Sequence, residues 1–271
     1  MMTIQKTPQQ KDYWSDLASQ WNRLASPLRP CCEDVEIIRQ FLGHDSGLCL
    51  LLGVTPELAS LPIRLVAMDN SAAMIGALWP GNQAGRNVVQ GDWLDMPFVA
   101  NSFDNIIGDG SLTLLSYPLQ YERLFAQLSR TLKPDGKILI RFFVSPEQGE
   151  TCADVCHEAI SGRIGSFHAF KWRLSMAVGT ETKSPDISVA DTYAAFNHLL
   201  PDRQQLASAT GWSHEDIATI ELYCGSPARY SYPTLSQLRR VFPPYLKETR
   251  LMQGSYELAE RCPMLVLEPC K

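Results

Sequence analysis

Four short stretches, each carrying an apolar run into a turn, fall in fixed order within the first half of this 271-residue chain. No other feature constrains the fold as much. They are Leu50-Leu51-Leu52-Gly53-Val54-Thr55-Pro56, Val66-Ala67-Met68-Asp69-Asn70-Ser71, Gly91-Asp92-Trp93-Leu94, and Ser102-Phe103-Asp104-Asn105-Ile106-Ile107-Gly108-Asp109-Gly110. Residues 48–52 and 63–68 are apolar runs of the kind found in strands covered on both faces. Val88-Val89 and residues 105–107 supply shorter strands, and 137–144 reads as a further buried one. Tyr121, Leu124, Phe125, Leu128 and Leu132 mark one face of a helix, with Lys133-Pro134-Asp135-Gly136 as its terminator. Strands alternating with helices specify a parallel sheet with helices on both faces.

The flanks read differently. Trp14, Leu17, Ala18, Trp21, Leu24 and Ala25 recur at three-and-four spacing, predicting an amphipathic helix over 13–25 that Pro27 and Pro30 end. Val35, Ile38, Phe41 and Leu42 mark a second helix, stopped at Gly43. Beyond Pro146, residues 151–223 read as mainly helical, broken by a polar loop at 179–186. Ser213-x-x-Asp216 and Thr234-x-x-Gln237 are capping-box patterns. Strand candidates at 246–252 and 264–267 suggest a closing antiparallel hairpin. The chain thus divides into an N-terminal helix or lid (1–30), an α/β core (31–146), a helical cap with connecting helices (147–244) and a terminal hairpin (245–271).

Composition narrows the function classes. At 45% hydrophobic the chain can bury a full core. A formal net charge of −5 argues against a polyanion-binding face, which needs clustered Lys and Arg. No run is long and apolar enough for a signal peptide core or a bilayer span, so the default expectation is a cytoplasmic protein with neither membrane nor nucleic acid as partner. The eight cysteines lack metal-ligand spacing: Cys31-Cys32 are adjacent, and Cys152 and Cys156 have no second pair. They read as free thiols, with no metal site.

Chemistry concentrates at the turns. Gly53 lets backbone amides approach a ligand closely. Asp69, ending the second strand, can accept from both hydroxyls of a ribose or can cap the following helix, as Asn70 or Ser71 can. Asp92 can accept from an exocyclic amino group while the Trp93 indole covers a ring face; alternatively Asp92 caps a turn and Trp93 packs in the core.

The series Leu52-Gly53, Val66-x-x-Asp69-x-Ser71-x-x-Met74, Gly91-Asp92-x-x-Asp95-Met96-Pro97-Phe98, Asn101-Ser102-Phe103-Asp104 and Leu132-Lys133-Pro134-Asp135-Gly136 resembles the class I S-adenosylmethionine-dependent methyltransferases, closest to the small-molecule branch. The resemblance spans roughly residues 41–144. It implies a Rossmann-like, mostly parallel seven-stranded sheet with a C-terminal antiparallel hairpin and a helical cap after the fifth strand. It implies S-adenosylmethionine as cofactor and S-adenosylhomocysteine as product. Gly53, Val54 and Thr55 would wrap the methionine portion, Asp69 would hold the ribose, and Asn70 and Met74 would flank the adenosine. Gly91, Asp92 and Trp93 would meet adenine, and Asp109, Gly110 and Ser111 would lie beside the sulfonium. Where the family has an acid followed by Gly-x-Gly-x-Gly, this chain has Leu51 for the acid, then Gly53, Thr55 and Glu57; Asp109 or backbone carbonyls would compensate at the ammonium. The same change argues against a dehydrogenase, whose pyrophosphate needs Gly-x-Gly-x-x-Gly.

Methyl transfer needs a base only if the acceptor must lose a proton. His168, Asp109 and Tyr117 are the candidates, with Tyr193 and His198 further ones. In Ser166-Phe167-His168-Ala169-Phe170-Lys171-Trp172-Arg173, Lys171 and Arg173 either hold an acidic substrate or face solvent while the aromatics pack the cap. Asp109-Gly110-Ser111-Leu112 lacks the Asn/Asp-Pro-Pro-aromatic pattern of nucleobase methylation. Trp14 and Trp21 either dock the N-terminal helix or place it as a lid over the cofactor. The leading expectation is methyl transfer to a small molecule; the alternative is a non-catalytic nucleoside-binding or sensing module.

Overall fold

The computed structural model describes residues 8–43 and 46–270, with side chains from residue 14 onward. The strands are β1 (Leu48–Leu52), β2 (Arg64–Asp69), β3 (Arg86–Gln90), β4 (Phe103–Asp109), β5 (Leu132–Arg141), β6 (Asp186–Ser188), β7 (Arg229–Ser231), β8 (Leu246–Met252) and β9 (Met264–Pro269). Seven form one sheet in the order β3-β2-β1-β4-β5-β9-β8. The first five are parallel; β9 runs antiparallel between β5 and β8. The expected terminal hairpin therefore completes the sheet with its second strand innermost.

Alternation along each strand explains why both faces are covered. Leu50, Leu52, Ile106, Ile138, Ile140, Leu265 and Leu267 point into one core. There they meet α5 (Leu119–Thr131) through Tyr121, Leu124, Phe125 and Leu128, and α11 (Leu235–Val241) through Leu238 and Val241. Cys49, Leu51, Ile107, Leu139, Met264 and Val266 point to the opposite core. That core is closed by α1 (Pro8–Ser19), α2 (Cys32–Leu42), α3 (Pro56–Ala59) and α4 (Ala72–Leu78). Each fully buried Leu or Ile contributes about 1.5–3 kcal/mol, which makes the strand register expensive to slip.

Between β5 and β8 lie α6 (Cys152–Ile160), α7 (Phe167–Thr182), α8 (Val189–Leu199), α9 (Arg203–Thr210) and α10 (His214–Ala218), built around their own core of Phe167, Phe170, Trp172, Phe196 and Trp212. The strands β6 and β7 pair antiparallel within this insertion, a small sheet with no counterpart in the sequence reading.

Several boundaries differ from expectation. The N-terminal helix stops at Ser19 and continues as a 3-10 turn over Trp21–Arg23; Tyr13's side chain and residues 1–7 lie outside the described residues. β5 starts at Leu132, before the presumed terminator, because Leu132 pairs with Phe103 ahead of a register shift. It ends at Arg141, beyond which the N–H groups of Phe142 and Val144 donate to the Pro263 and Arg261 carbonyls (2.9 Å each). The predicted polar loop at 179–186 begins later, since α7 runs to Thr182.

Candidate functional site

β1, β2 and β4 release the chain at one sheet edge, where open α/β sheets bind ligands. Gly53 there has φ +98°, and its N–H donates to the Met68 carbonyl (2.8 Å). The same carbonyl accepts from Trp93 Nε1 (2.7 Å), so one oxygen fixes the first turn, the second strand and the third motif together. A Cβ at Gly53 would stand 3.8 Å from both Asp69 Oδ2 and Trp93 Cζ2, so the missing side chain leaves a cradle between them. Ser71, not Asp69, caps α4, accepting from the Met74 N–H (3.3 Å). Asp69 Oδ1 accepts from the Ser71 N–H (2.7 Å), and Asp92 Oδ1 from the Leu94 N–H (2.9 Å), turns that aim each carboxylate. Ser111 Oγ donates to the Leu52 carbonyl (2.9 Å), tying the fourth motif to the first.

These turns border a cavity of about 210 Å³. Of the twelve residues assigned to the cofactor from sequence, eleven line it: Gly53, Val54, Thr55, Asp69, Asn70, Met74, Asp92, Trp93, Asp109, Gly110 and Ser111. Gly91 is not among them. Its N–H donates to the Asp69 carbonyl (3.0 Å), and a Cβ would reach 2.4 Å from Met68 Cε, so its role is close packing behind the wall. Trp93 serves both readings, since it packs in the sheet core and still lines the cavity.

Two further walls complete the lining, and the sequence marks each only through its tryptophans, Trp14 and Trp21 in one and Trp172 in the other. One is the N-terminal segment, through Trp14, Leu17, Trp21 and Leu28; the other is aromatic, from Phe143, Trp172 and Tyr230. The segment is clamped twice. Glu57, standing where a glycine is usual, pairs with Arg29 (Nε to Oε1 2.8 Å), and Arg29 also donates to the Trp21 carbonyl (3.0 Å) and lies over the Trp21 ring. The second clamp is Arg141, whose side chain is fully buried. Its Nη2 donates to the Pro27 carbonyl (3.1 Å), its Nη1 to Asp34 Oδ2 and Tyr256 Oη (3.0 Å each), and its Nε to Asp109 Oδ1. Tyr256 Oη in turn donates to Asp34 Oδ1 (2.9 Å). A buried guanidinium needs such complete pairing.

That network redefines Asp109. It borders the cavity, but its carboxylate is held by Arg141, so it is not a free base. Burial pushes its carboxyl up, against the pull of Arg141.

The other candidate bases stand away from the cavity, and none of the four is among its lining residues. The Tyr117 N–H donates to Asp186 Oδ1 (3.1 Å) and its hydroxyl to the Gln237 carbonyl (3.0 Å). His168 is buried in α7, its imidazole pushed down to about 4 by burial and by Lys171. Tyr193 on α8 donates to Glu221 Oε2 (2.7 Å), and His198 lies on the same helix.

The expected solvent-facing charges of α7 need correcting as well. Lys171 is fully buried, donates to Thr219 Oγ1 (3.0 Å) and lies over Tyr223; burial pushes it down to about 7. Arg173 is taken up by Glu150 and Glu158. Neither cation is presented to an acidic substrate.

A methyltransferase-domain family model matches residues 49–140, the stretch holding β1 to most of β5. Among solved structures, the fold aligns with a Rhodobacter sphaeroides protein provisionally described as a Zn-dependent alcohol dehydrogenase (TM-score 0.60, 11% identity, covering 98% of this chain and 100% of that one). It also aligns with the CcbJ methyltransferase from Streptomyces caelestis (0.58, 11%, 98% and 100%). A third match is DhpI in complex with SAH (0.54, 14%, 96% and 95%). At these identities the likeness shows the fold. Among curated proteins, none matches the sequence. The antiparallel β9 between β5 and β8 departs from the dinucleotide-binding order, whose sixth strand follows the fifth directly. Among the described residues no three His, Cys, Asp or Glu side chains gather as a metal site.

Proposed function

From a chain that carries the class I S-adenosylmethionine-dependent methyltransferase fold, we propose an enzyme that transfers the methyl group of S-adenosylmethionine to a small-molecule acceptor. The observation that carries this reading is the convergence of Gly53, Asp69, Asp92 and Asp109, from four separate turns, on one cavity.

The residues fit the cofactor in kind. The cradle at Gly53 admits the chain between Asp69 and Trp93. Asp69 would take the ribose hydroxyls, Asp92 the adenine amino group, Trp93 and Met74 the ring, and Val54 and Thr55 the methionine portion, with Asp109, Gly110 and Ser111 beside the sulfur. When bound, the cofactor supplies a methyl carbon already activated by a sulfonium. What remains for the protein is to align the acceptor and exclude water. The N-terminal segment does the second, placing Trp14, Leu17, Trp21 and Leu28 along the cavity.

Incubation with methyl-labelled S-adenosylmethionine and a mixed acceptor panel tests the proposal. Label leaving the donor with stoichiometric S-adenosylhomocysteine supports it. Tight binding of the donor without transfer to any acceptor class would favour the non-catalytic sensing module instead, the reading to which Leu51 and Glu57 in the first motif lend weight.

A further inference from the structure

The acceptor side of the cavity has a specific chemistry. Phe143 packs on Gly110, where a Cβ would lie 2.2 Å from Phe143 Cε2, so the aromatic wall begins next to Asp109. From there the rings continue in contact: Phe143 to Trp172 at 4.8 Å between centroids and Trp172 to Tyr230 at 5.8 Å. All three are buried and all three border the cavity. Leu28, Leu114 and Leu115 add apolar surface, with Thr113 between them and Ser111.

Charge among the described lining residues has one sign. The charged lining residues are Asp69, Asp92 and Asp109; none of the described lining residues is Lys, Arg or His. Two cations stand behind the lining rings: Arg141 lies over Phe143 (5.1 Å) and is matched by Asp109 and Asp34, and Arg29 lies over Trp21 (5.4 Å) and is matched by Glu57. An anionic acceptor would find no charged partner among the described lining residues, only neutral donors such as Trp172 Nε1 and the Thr113 hydroxyl. A cation would lie beside the Trp172 and Tyr230 rings, where a cation–π contact gains strength from desolvation.

Proton chemistry points the same way. Asp109 is bound to Arg141, Asp69 and Asp92 belong to the nucleoside end, and His168 and Tyr117 are elsewhere. The site therefore suits an acceptor atom that is nucleophilic in its neutral form and becomes positive on methylation.

Resting on the methyltransferase reading above, we infer that the acceptor is a lipophilic amine, methylated on nitrogen in the Phe143–Trp172–Tyr230 pocket. The nitrogen lone pair forms the new N–C bond as the C–S bond breaks, its electron pair remaining on sulfur. The amine reacts as its free base, having left its proton in solvent before it enters: a tertiary amine then gives a quaternary ammonium and S-adenosylhomocysteine with no further proton released, and a secondary amine gives a protonated tertiary amine, which sheds its proton to water. The positive charge leaves sulfur and arises on nitrogen, facing Trp172 and Tyr230.

Binding and turnover test this separately. Tryptophan fluorescence and calorimetry, with S-adenosylhomocysteine saturating, are used to titrate benzyltrimethylammonium, its uncharged isostere neopentylbenzene, and phenylacetate. The cation should bind about thirtyfold more tightly than the isostere, the size of a desolvated cation–π contact, and phenylacetate more weakly than either. Trp172→Leu should remove that preference, and Trp172→Phe should keep part of it. In the turnover arm, at mildly alkaline pH, N,N-dimethylbenzylamine should yield benzyltrimethylammonium, whereas 4-ethylphenol and phenylacetate should stay unmodified.

Equal binding of cation and isostere, preferred binding of phenylacetate, or methylation of the phenol or acid in preference to the amine would overturn the inference. Those outcomes leave methyl transfer itself standing. Failure of the folded protein to bind S-adenosylhomocysteine at all would instead strike the underlying reading. The wild-type preference decides the matter even if Trp172→Leu fails to fold.

Discussion

Lys171→Met should stabilise this protein at neutral pH and lose that advantage in alkali. The ammonium of Lys171 is fully buried in the cap, with Thr219 Oγ1 as its hydrogen-bond partner, and burial pushes it from 10.5 down to about 7. Each pH unit between folded and unfolded values is worth about 1.4 kcal/mol, so the cost of keeping this lysine folded is on the order of 3–5 kcal/mol. The sign follows from the proton count. Below the folded value the lysine is charged in both states and the cost is full. From there up to 10.5 the unfolded chain holds a proton that the folded chain does not, so stability rises with pH. Above 10.5 both forms are neutral and the cost is gone.

The replacement leaves nothing stranded, because the Thr219 hydroxyl already donates to the Asp216 carbonyl (2.6 Å). Urea unfolding of both proteins, at about pH 7 and about pH 10, reads the difference. The comparison must be between proteins, because the buried thiols of Cys152, Cys156 and Cys262, pushed up to about 12, lower stability on the alkaline side in both. A gap of a few kcal/mol at pH 7 that nearly closes at pH 10 is expected. A gap unchanged between the two, or a variant less stable than wild type at pH 7, would refute the assignment and restore Lys171 as a charged group.

Other perturbations follow from the site. Gly110 has φ +61° and no room for a Cβ against Phe143, so Gly110→Ala should cost about 2 kcal/mol or more in urea unfolding and disturb the aromatic wall. Arg29→Met cuts the tie between Glu57 and the Trp21 carbonyl, and limited proteolysis should then cleave the segment before Arg29 sooner, with faster release of S-adenosylhomocysteine; unchanged cleavage and release would mean that the clamp is idle. Arg141→Met leaves Asp34 and Asp109 buried without their shared cation and should destabilise by about 3–5 kcal/mol, as a lower unfolding midpoint.

The sheet was legible because buried parallel strands leave near-continuous apolar runs, as in Leu48–Leu52, and because Gly53, Asp69, Asp92 and Asp109 all stand where such runs end. What stayed hidden depends on contacts distant in sequence. Arg141 follows Ile138-Leu139-Ile140 and reads as an ordinary strand end, whereas its partners Asp34, Tyr256 and Pro27 are more than a hundred residues away. Lys171 reads as a helix-surface charge beside Phe170 and Trp172; only the packing of Thr219 and Tyr223 on that face buries it. The acceptor wall was half visible. Trp172 stood out among aromatics, but nothing local joins it to Phe143 or Tyr230. Three-residue strands such as β6 and β7 are too short for periodicity to mark. In sequence Glu57 stands as a replaced glycine, and its use as the anchor for Arg29 becomes evident only in three dimensions.

The central claim, that the cavity at the strand ends holds the methyl donor through Asp69, is tested most directly by calorimetric titration of S-adenosylhomocysteine into wild type and Asp69→Ala. The account predicts saturable one-to-one binding by wild type, weakened by about 1.5–3 kcal/mol in the variant, the loss expected for hydrogen bonds to a charged group. Equal affinity in the two proteins, or no binding by folded wild type, would contradict it.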